Sequence, residues 1–217
     1  ALKFDHVIVE YASYVGMEGA GNVEINYANA EIRNSIFRFG GGNGLVVASA
    51  AVATIADSSF TNNTLAALRI NYGAQSTLAL QNLAASGNGT SNAVVYASGY
   101  VANTLTLNKM GLPHVFQGGF DVPITGHLTI APGVEVQVDT GFYVDGTLTA
   151  VGTAAEPILI TGIKKEPGGW WGLNITGNYT NLAYATLDHV IIEYGGRDGV
   201  AFSANLNVSA ANITMTH

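Results

Sequence analysis

His6 and Glu10 stand four residues apart, and the same pair recurs as His189 and Glu193. Residues four apart on an extended strand share a face, so each pair sets an imidazole beside a carboxylate, as a metal site or acid–base couple would. Recurrence of the pair at matching places argues for a structural role instead, and the expectation is that neither pair holds a metal. Trp170-Trp171, with Tyr179 and Tyr184, offers aromatic rings on which a sugar could stack. Neighbours on a strand point to opposite faces, so one indole is expected to pack inside and the other to show itself. Trp171 is assigned the interior, which leaves Trp170 and Tyr179 as candidate carbohydrate contacts. Thr104/Thr106 and Thr147/Thr149 each place two hydroxyls on one strand face. Asn62, Asn88, Asn174, Asn178, Asn207 and Asn212 begin Asn-x-Ser/Thr sequons, candidate glycosylation sites where the source glycosylates them.

The elements that position these groups must be built from an unusual composition. Charged residues are 11% of the 217 and apolar residues 48%, so there is ample core material and intrinsic disorder is not expected. Fifteen Asp+Glu against eight Lys+Arg cannot easily build the basic face that nucleic-acid binding needs. No run approaches the roughly 18 apolar residues of a membrane helix. The absence of cysteine removes disulfides, thiolate nucleophiles and cysteine-ligated zinc together. Asn, Thr, Ser and Gly take over the wetting of the surface, a bias toward an extracellular or cell-surface setting in a prokaryote. Ala1 to His6 leads straight into a strand-like run without a secretory leader; the expectation is a mature, processed or excised chain.

No segment of twelve or more residues keeps helical periodicity, and short β-rich runs recur instead. His6–Tyr11, Gly44–Val47, Leu68–Tyr72, Ala93–Tyr96, Thr104–Leu107, His127–Ile130, Val134–Val138 and Pro157–Thr161 are the clearest. Turn formers such as Gly40-Gly41-Gly42-Asn43-Gly44, Gly87-Asn88-Gly89 and Gly195-Gly196 separate them. No linker divides the chain, so residues 1–217 read as one domain. Sliding the chain by 183 positions lays residues 2–34 over 185–217 without a gap, with ten identities in 33, among them Asp5/Asp188, His6/His189, Tyr11/Tyr194 and Asn22/Asn205. Inside this lies a shorter period. Glu31–Phe37 and Thr54–Phe60 sit 23 residues apart in register, and Leu78–Leu83 is expected to continue at that spacing. Units of roughly 20–25 residues cannot bury an apolar face alone, whereas stacked units can.

Residues 104–196 carry a more specific signal. Leu128-Thr129-Ile130-Ala131-Pro132-Gly133-Val134-Glu135-Val136 leads into Val144-Asp145-Gly146-Thr147-Leu148-Thr149-Ala150, followed by Glu156-Pro157-Ile158-Leu159-Ile160-Thr161. Gly168-Gly169-Trp170-Trp171-Gly172 and Leu187-Asp188-His189-Val190-Ile191-Ile192-Glu193-Tyr194-Gly195-Gly196 complete the order. The stretch resembles the right-handed parallel β-helix repeats of large bacterial surface and secreted proteins, related in fold to pectate lyases. That resemblance implies an all-β, right-handed parallel β-helix (solenoid), here of roughly ten coils, and leaves function open because lyases, hydrolases, adhesins and inert stalks share the fold.

Lyase chemistry of this kind needs acidic residues holding calcium and a Lys or Arg base on one face. Glu135, Asp139, Asp145, Lys164 and Lys165 are the nearest group, and no adjacent Asp-Asp pair accompanies them; solvated charges and turn formers are the simpler reading. No catalytic residue is assigned and no cofactor is expected, calcium being the one ion the fold would admit. The Thr-x-Thr pairs resemble ice-binding solenoid faces, but the pair is sparse along the sequence. The expected role is an extracellular structural or adhesive stalk or filament, without catalysis, contacting itself end to end or neighbouring repeats; the alternative is a module that binds or degrades polysaccharide. Nucleic acid and a membrane span are not expected.

Overall fold

The computed structural model describes residues 1–48, 51–71, 78–97, 99–101, 103–178, 180–197, 199 and 204–217. Every strand pairing is parallel, and the chain is a β-solenoid of about eight turns, without a helix among the described residues. It divides into two compact units. Unit 1 is Ala1–Ala97 with Met110–Pro113, and unit 2 is Ser98–Lys109 with His114–His217.

Unit 1 contributes four strands to each of three sheets. Sheet A comprises β1 (Leu2–Asp5), β4 (Asn29–Arg33), β7 (Val52–Ala56) and β10 (Leu78–Gln81). Sheet B comprises β2 (Ile8–Glu10), β5 (Ile36–Arg38), β8 (Ser59–Thr61) and β11 (Ala84–Ser86). Its strands in sheet C are β3 (Gly21–Asn26), β6 (Asn43–Ala48), β9 (Ala66–Ile70) and β12 (Ser91–Tyr96). Alternation along each strand turns one set of side chains inward, and lateral pairing stacks like on like. Ile32 lies on Ile55, Leu45 on Leu68, and Phe37 on Phe60. The two phenyl rings are stacked with centroids 5.4 Å apart. All six side chains are fully buried, each contributing about 2–3 kcal/mol of hydrophobic stabilisation.

Sharp bends separate sheets A and B. His6, Asn34, Asp57 and Asn82 all adopt positive φ, near 50–57°, and five residues on Tyr11, Phe39, Asn62 and Gly87 do the same. The His6–Tyr11 run is therefore a three-residue strand between two left-handed bends. Asn and Asp tolerate this conformation through local hydrogen bonding, and they occupy four of these places, Asn34, Asp57, Asn62 and Asn82. Just past the second bend an interior amide ladder closes the turn. Asn63 Oδ1 accepts from Gly40 N at 3.0 Å and from Asn22 Nδ2 at 3.0 Å, while its Nδ2 donates to Phe37 O at 3.1 Å and Asn88 Oδ1 at 2.8 Å. Asn22 fits because Gly40 lacks a Cβ; one there would lie 2.8 Å from the Asn22 amide.

Unit 2 repeats the plan. Sheet D comprises β13 (Gly99–Tyr100), β16 (Phe120–Val122), β19 (Gly141–Val144), β22 (Gly172–Thr176) and β25 (Leu206–Ser209). Sheet E comprises β14 (Thr104–Leu107), β17 (His127–Ile130), β20 (Thr147–Val151), β23 (Ala183–Asp188) and β26 (Ala211–Thr216). The remaining strands of the unit, β15 (His114–Phe116), β18 (Glu135–Val138), β21 (Ile158–Gly162) and β24 (Val190–Ile192), pair laterally in that order. Phe116, Phe120 and Phe142 stack in its core at 4.0 and 4.8 Å.

Two sequence expectations change. About eight turns replace roughly ten, because the turns are longer than the inferred unit. Leu2 pairs with Ala30 and Ala30 with Ala53, steps of 28 and 23; Thr149 pairs with Thr186 and Thr186 with Thr214, steps of 37 and 28. Leu80 pairs with Ile55, a step of 25 rather than 23.

The 183-residue echo is a conformational one. Positive φ occurs at His6 and His189, Tyr11 and Tyr194, Gly16 and Gly199, Tyr27 and Ala210, and Asn34 and His217, each pair 183 apart. Hydrogen bonds repeat with it. Asn22 Oδ1 accepts from Ala12 N at 3.1 Å as Asn205 Oδ1 accepts from Gly195 N at 2.7 Å. His6 N donates to Arg33 O, and His189 N to Thr216 O, both at 3.3 Å.

Candidate functional site

Sheet E of unit 2 presents the most regular outward surface. Parallel register places Thr106, Thr129, Thr149, Thr186 and Thr214 in one column across five consecutive strands. Beside it runs a second column, Thr104, His127, Thr147, Tyr184 and Asn212. Across these two columns the threonine pair stays sparse on the surface as in the sequence, falling on β14 and β20, but a single threonine column is continuous. Steps of 23, 20, 37 and 28 hide a column that lateral pairing completes. Between β20, β23 and β26 the face forms a shallow groove of about 380 Å³, with Thr147, Tyr184, Thr186, Asn212 and Thr214 on its lining. Tyr184 is 51% exposed, and the groove offers hydroxyls, an amide and one phenol ring without a charged group on its lining.

The indoles are placed the other way round from expectation. Trp170 is fully buried and its Nε1 donates to Glu193 O at 2.8 Å, so it cannot stack on a sugar. Gly162 makes room for it: a Cβ there would approach Trp170 Cδ1 at 2.8 Å. Trp171 is half-buried, meeting Tyr143 edge-on at 6.4 Å, with its Nε1 shielded and without a hydrogen-bond partner. Both rings fall outside strands, Trp171 immediately before β22, so strand alternation does not govern them. Tyr179 lies outside the described residues.

The sequons divide by burial. Asn88 and Asn174 are buried, and their amide nitrogens donate to Phe60 O and Gly172 O, so neither is an accessible acceptor in the folded chain. Asn207 is half-buried and donates to Asn174 Oδ1 at 3.2 Å. Asn62, Asn178 and Asn212 are exposed.

Four of the five acidic and basic candidates are engaged, two of them with each other. Glu135 pairs with Lys165 at 3.1 Å, Asp139 Oδ1 accepts from Gly118 N at 2.7 Å, and Asp145 Oδ1 accepts from Thr176 Oγ1 at 3.3 Å. Asp121, which the sequence did not single out, has its carboxyl raised above the usual range, by desolvation first and by the Asp145 charge second. Its neighbours in register are Tyr100 and Tyr143.

The His–Glu pairs do not act as pairs. The left-handed bend at each histidine breaks the alternation that would align them. Glu10 reaches Arg38 at 2.6 Å and Glu193 accepts from Thr161 Oγ1 at 3.3 Å. Each histidine turns to the aspartate before it, with Asp5 Oδ1 2.9 Å from His6 Nδ1 and Asp188 Oδ1 3.0 Å from His189 Nδ1. At Asp188 a third group joins. His217 Nδ1 lies 2.9 Å from the same oxygen, and its ring stacks on His189 at 4.5 Å. Hydrogen bonds from His217 and then Thr216 hold the Asp188 carboxyl below the usual carboxylate range. No sequence motif announces this cluster, since His217 lies 29 residues from Asp188 and meets it only through the β23–β26 pairing.

No protein-family model, no curated protein and no solved structure matches this chain.

Proposed function

We propose that this chain is part of a longer extracellular structural or adhesive β-helix of the right-handed, pectin-lyase-like kind found on bacterial surfaces, in which a 183-residue unit recurs in tandem. The supporting observation is the recurrence of five left-handed backbone positions at one offset. A backbone retained at these five positions, while Asn34 gives way to His217 and Tyr27 to Ala210, fits a part whose geometry is what matters. The pairing of Glu135 with Lys165, and of Asp139 and Asp145 with other groups, supports a role without catalysis. Solenoid ends present unpaired strand edges, natural templates for neighbouring repeats or copies. The test is electron microscopy and sedimentation of the full-length protein. Long rods or fibres are expected; uniform small particles, or a full-length sequence without a further copy of the unit, would overturn the tandem reading.

A second reading has its own observation. The uncharged groove at Tyr184, rimmed by Thr and Asn, has the chemistry of a neutral-polysaccharide contact, an aromatic ring beside hydroxyl and amide partners. A glycan-binding panel tests it. Tyr184→Ala is expected to weaken binding about tenfold, the scale of one lost aromatic contact; a variant that binds equally well sinks this reading.

A further inference from the structure

We propose that Asp188, His189 and His217 form a site for a divalent transition-metal ion of the zinc class, which clasps two consecutive turns of unit 2. Among the described residues, these three bring one ligand atom each to within 4.8 Å of one another. Asp188 and His189 lie at the bend between β23 and β24, and His217 follows β26. An ion held by all three therefore ties one turn to the next.

The local chemistry asks for a cation. Asp188 Oδ1 lies 2.9 Å from His217 Nδ1 and 3.0 Å from His189 Nδ1. The hydrogen bond goes to His217; His189 Nδ1 is misaligned for one and is shut off from solvent without a partner. A shielded imidazole nitrogen of this kind is costly to leave unpaired. Tetrahedral zinc with bonds of about 2.0–2.1 Å holds its ligand atoms about 3.3 Å apart, so each imidazole nitrogen must draw back a few tenths of an ångström from Asp188 Oδ1, and the two imidazole nitrogens, which lie within 4.8 Å of each other, must settle at that same spacing. Two imidazole nitrogens and one carboxylate oxygen select zinc, cobalt or nickel over calcium, which prefers oxygen throughout. His217 is exposed, leaving a fourth position open to water.

The chain contains its own control. In the first turn Asp5 and His6 adopt the same arrangement, and Asn34 takes the place of His217, donating from Nδ2 to Asp5 Oδ1 at 2.9 Å. That turn has the same backbone at these positions and one ligand fewer. The metal site is thus a property of the His217 side chain and not of the bend.

The proposal stands independently of the tandem reading, because it concerns residues within unit 2. Its test is titration of the whole chain with zinc ions alone, followed by calorimetry and by imidazole nitrogen NMR. One equivalent is expected, shifting the nitrogens of His189 and His217 and leaving His6, His114 and His127 in place. His217→Asn, which copies Asn34, should keep its metal-free melting temperature. It should also lose affinity by more than the roughly 10–100-fold that follows loss of an outer-shell partner. Equal binding by wild type and His217→Asn, or zinc that leaves the His189 and His217 resonances unmoved, would overturn the site.

Discussion

Asn34 and His217, 183 residues apart, occupy one structural position: both adopt positive φ and both place a side-chain nitrogen 2.9 Å from the carboxylate oxygen of an equivalent aspartate. Around them the bends at His6 and His189 and the amide contacts of Asn22 and Asn205 coincide as well. The repeated unit thus keeps its hydrogen-bonding geometry while the chemistry of the donor changes from amide to imidazole.

The interior amide ladder of unit 1 is expected to be a concentrated source of stability. Asn63→Ala would orphan Gly40 N and leave Phe37 O, Asn22 and Asn88 each short of a partner. Leaving buried polar groups unsatisfied costs about 1–3 kcal/mol each, so urea unfolding should report a loss of roughly 3 kcal/mol or more. A loss as small as that of an ordinary surface substitution would show that water replaces the ladder.

The aromatic stack of unit 2 should respond to truncation in proportion to its burial. Phe120 lies between Phe116 and Phe142 and is fully buried. Phe120→Ala is expected to cost about 3–5 kcal/mol in chemical denaturation.

Backbone strain gives predictions of opposite sign. Gly172 adopts φ +99°, and a Cβ there would collide with the Ala204 carbonyl oxygen. Gly172→Ala should therefore destabilise by roughly 3 kcal/mol, through strain and clash together. Ala210, by contrast, already holds a side chain at φ +48°. Ala210→Gly removes a left-handed penalty of about 1–2 kcal/mol against a glycine entropy cost of about 0.5–1 kcal/mol. A small rise in melting temperature is expected, and a fall would contradict the account.

Acid should weaken unit 2 through His114. Its imidazole is buried, Nε2 lies 3.0 Å from Asn108 O, and burial lowers its pKa to about 4. In the unfolded chain the pKa is about 6.5. Between these values the unfolded state binds the proton and the folded state does not, so stability falls as pH drops from about 6.5 to about 4, by about 3 kcal/mol in total. Thermal unfolding across this range measures the slope, and His114→Leu should flatten it.

The fold class is legible in the sequence because its causes are local. Apolar alternation in runs such as Leu128–Ile130 and Leu148–Ala150 sets which side faces inward. Asn, Asp and Gly mark bends that need positive φ, and ten identities reveal the 183-residue echo. Lateral neighbours are not local. The turns advance by 20 to 37 residues, so no fixed spacing announces that Thr106, Thr129, Thr149, Thr186 and Thr214 form one column. Nor does any announce that His217 reaches Asp188. The facing of Trp170 and Trp171 escaped for a related reason, since neither lies in a strand and the cavity beside Gly162 chose between them. Composition and periodicity determine that this chain coils into stacked parallel strands; the length of each turn, expressed only as register, decides which side chains share a surface.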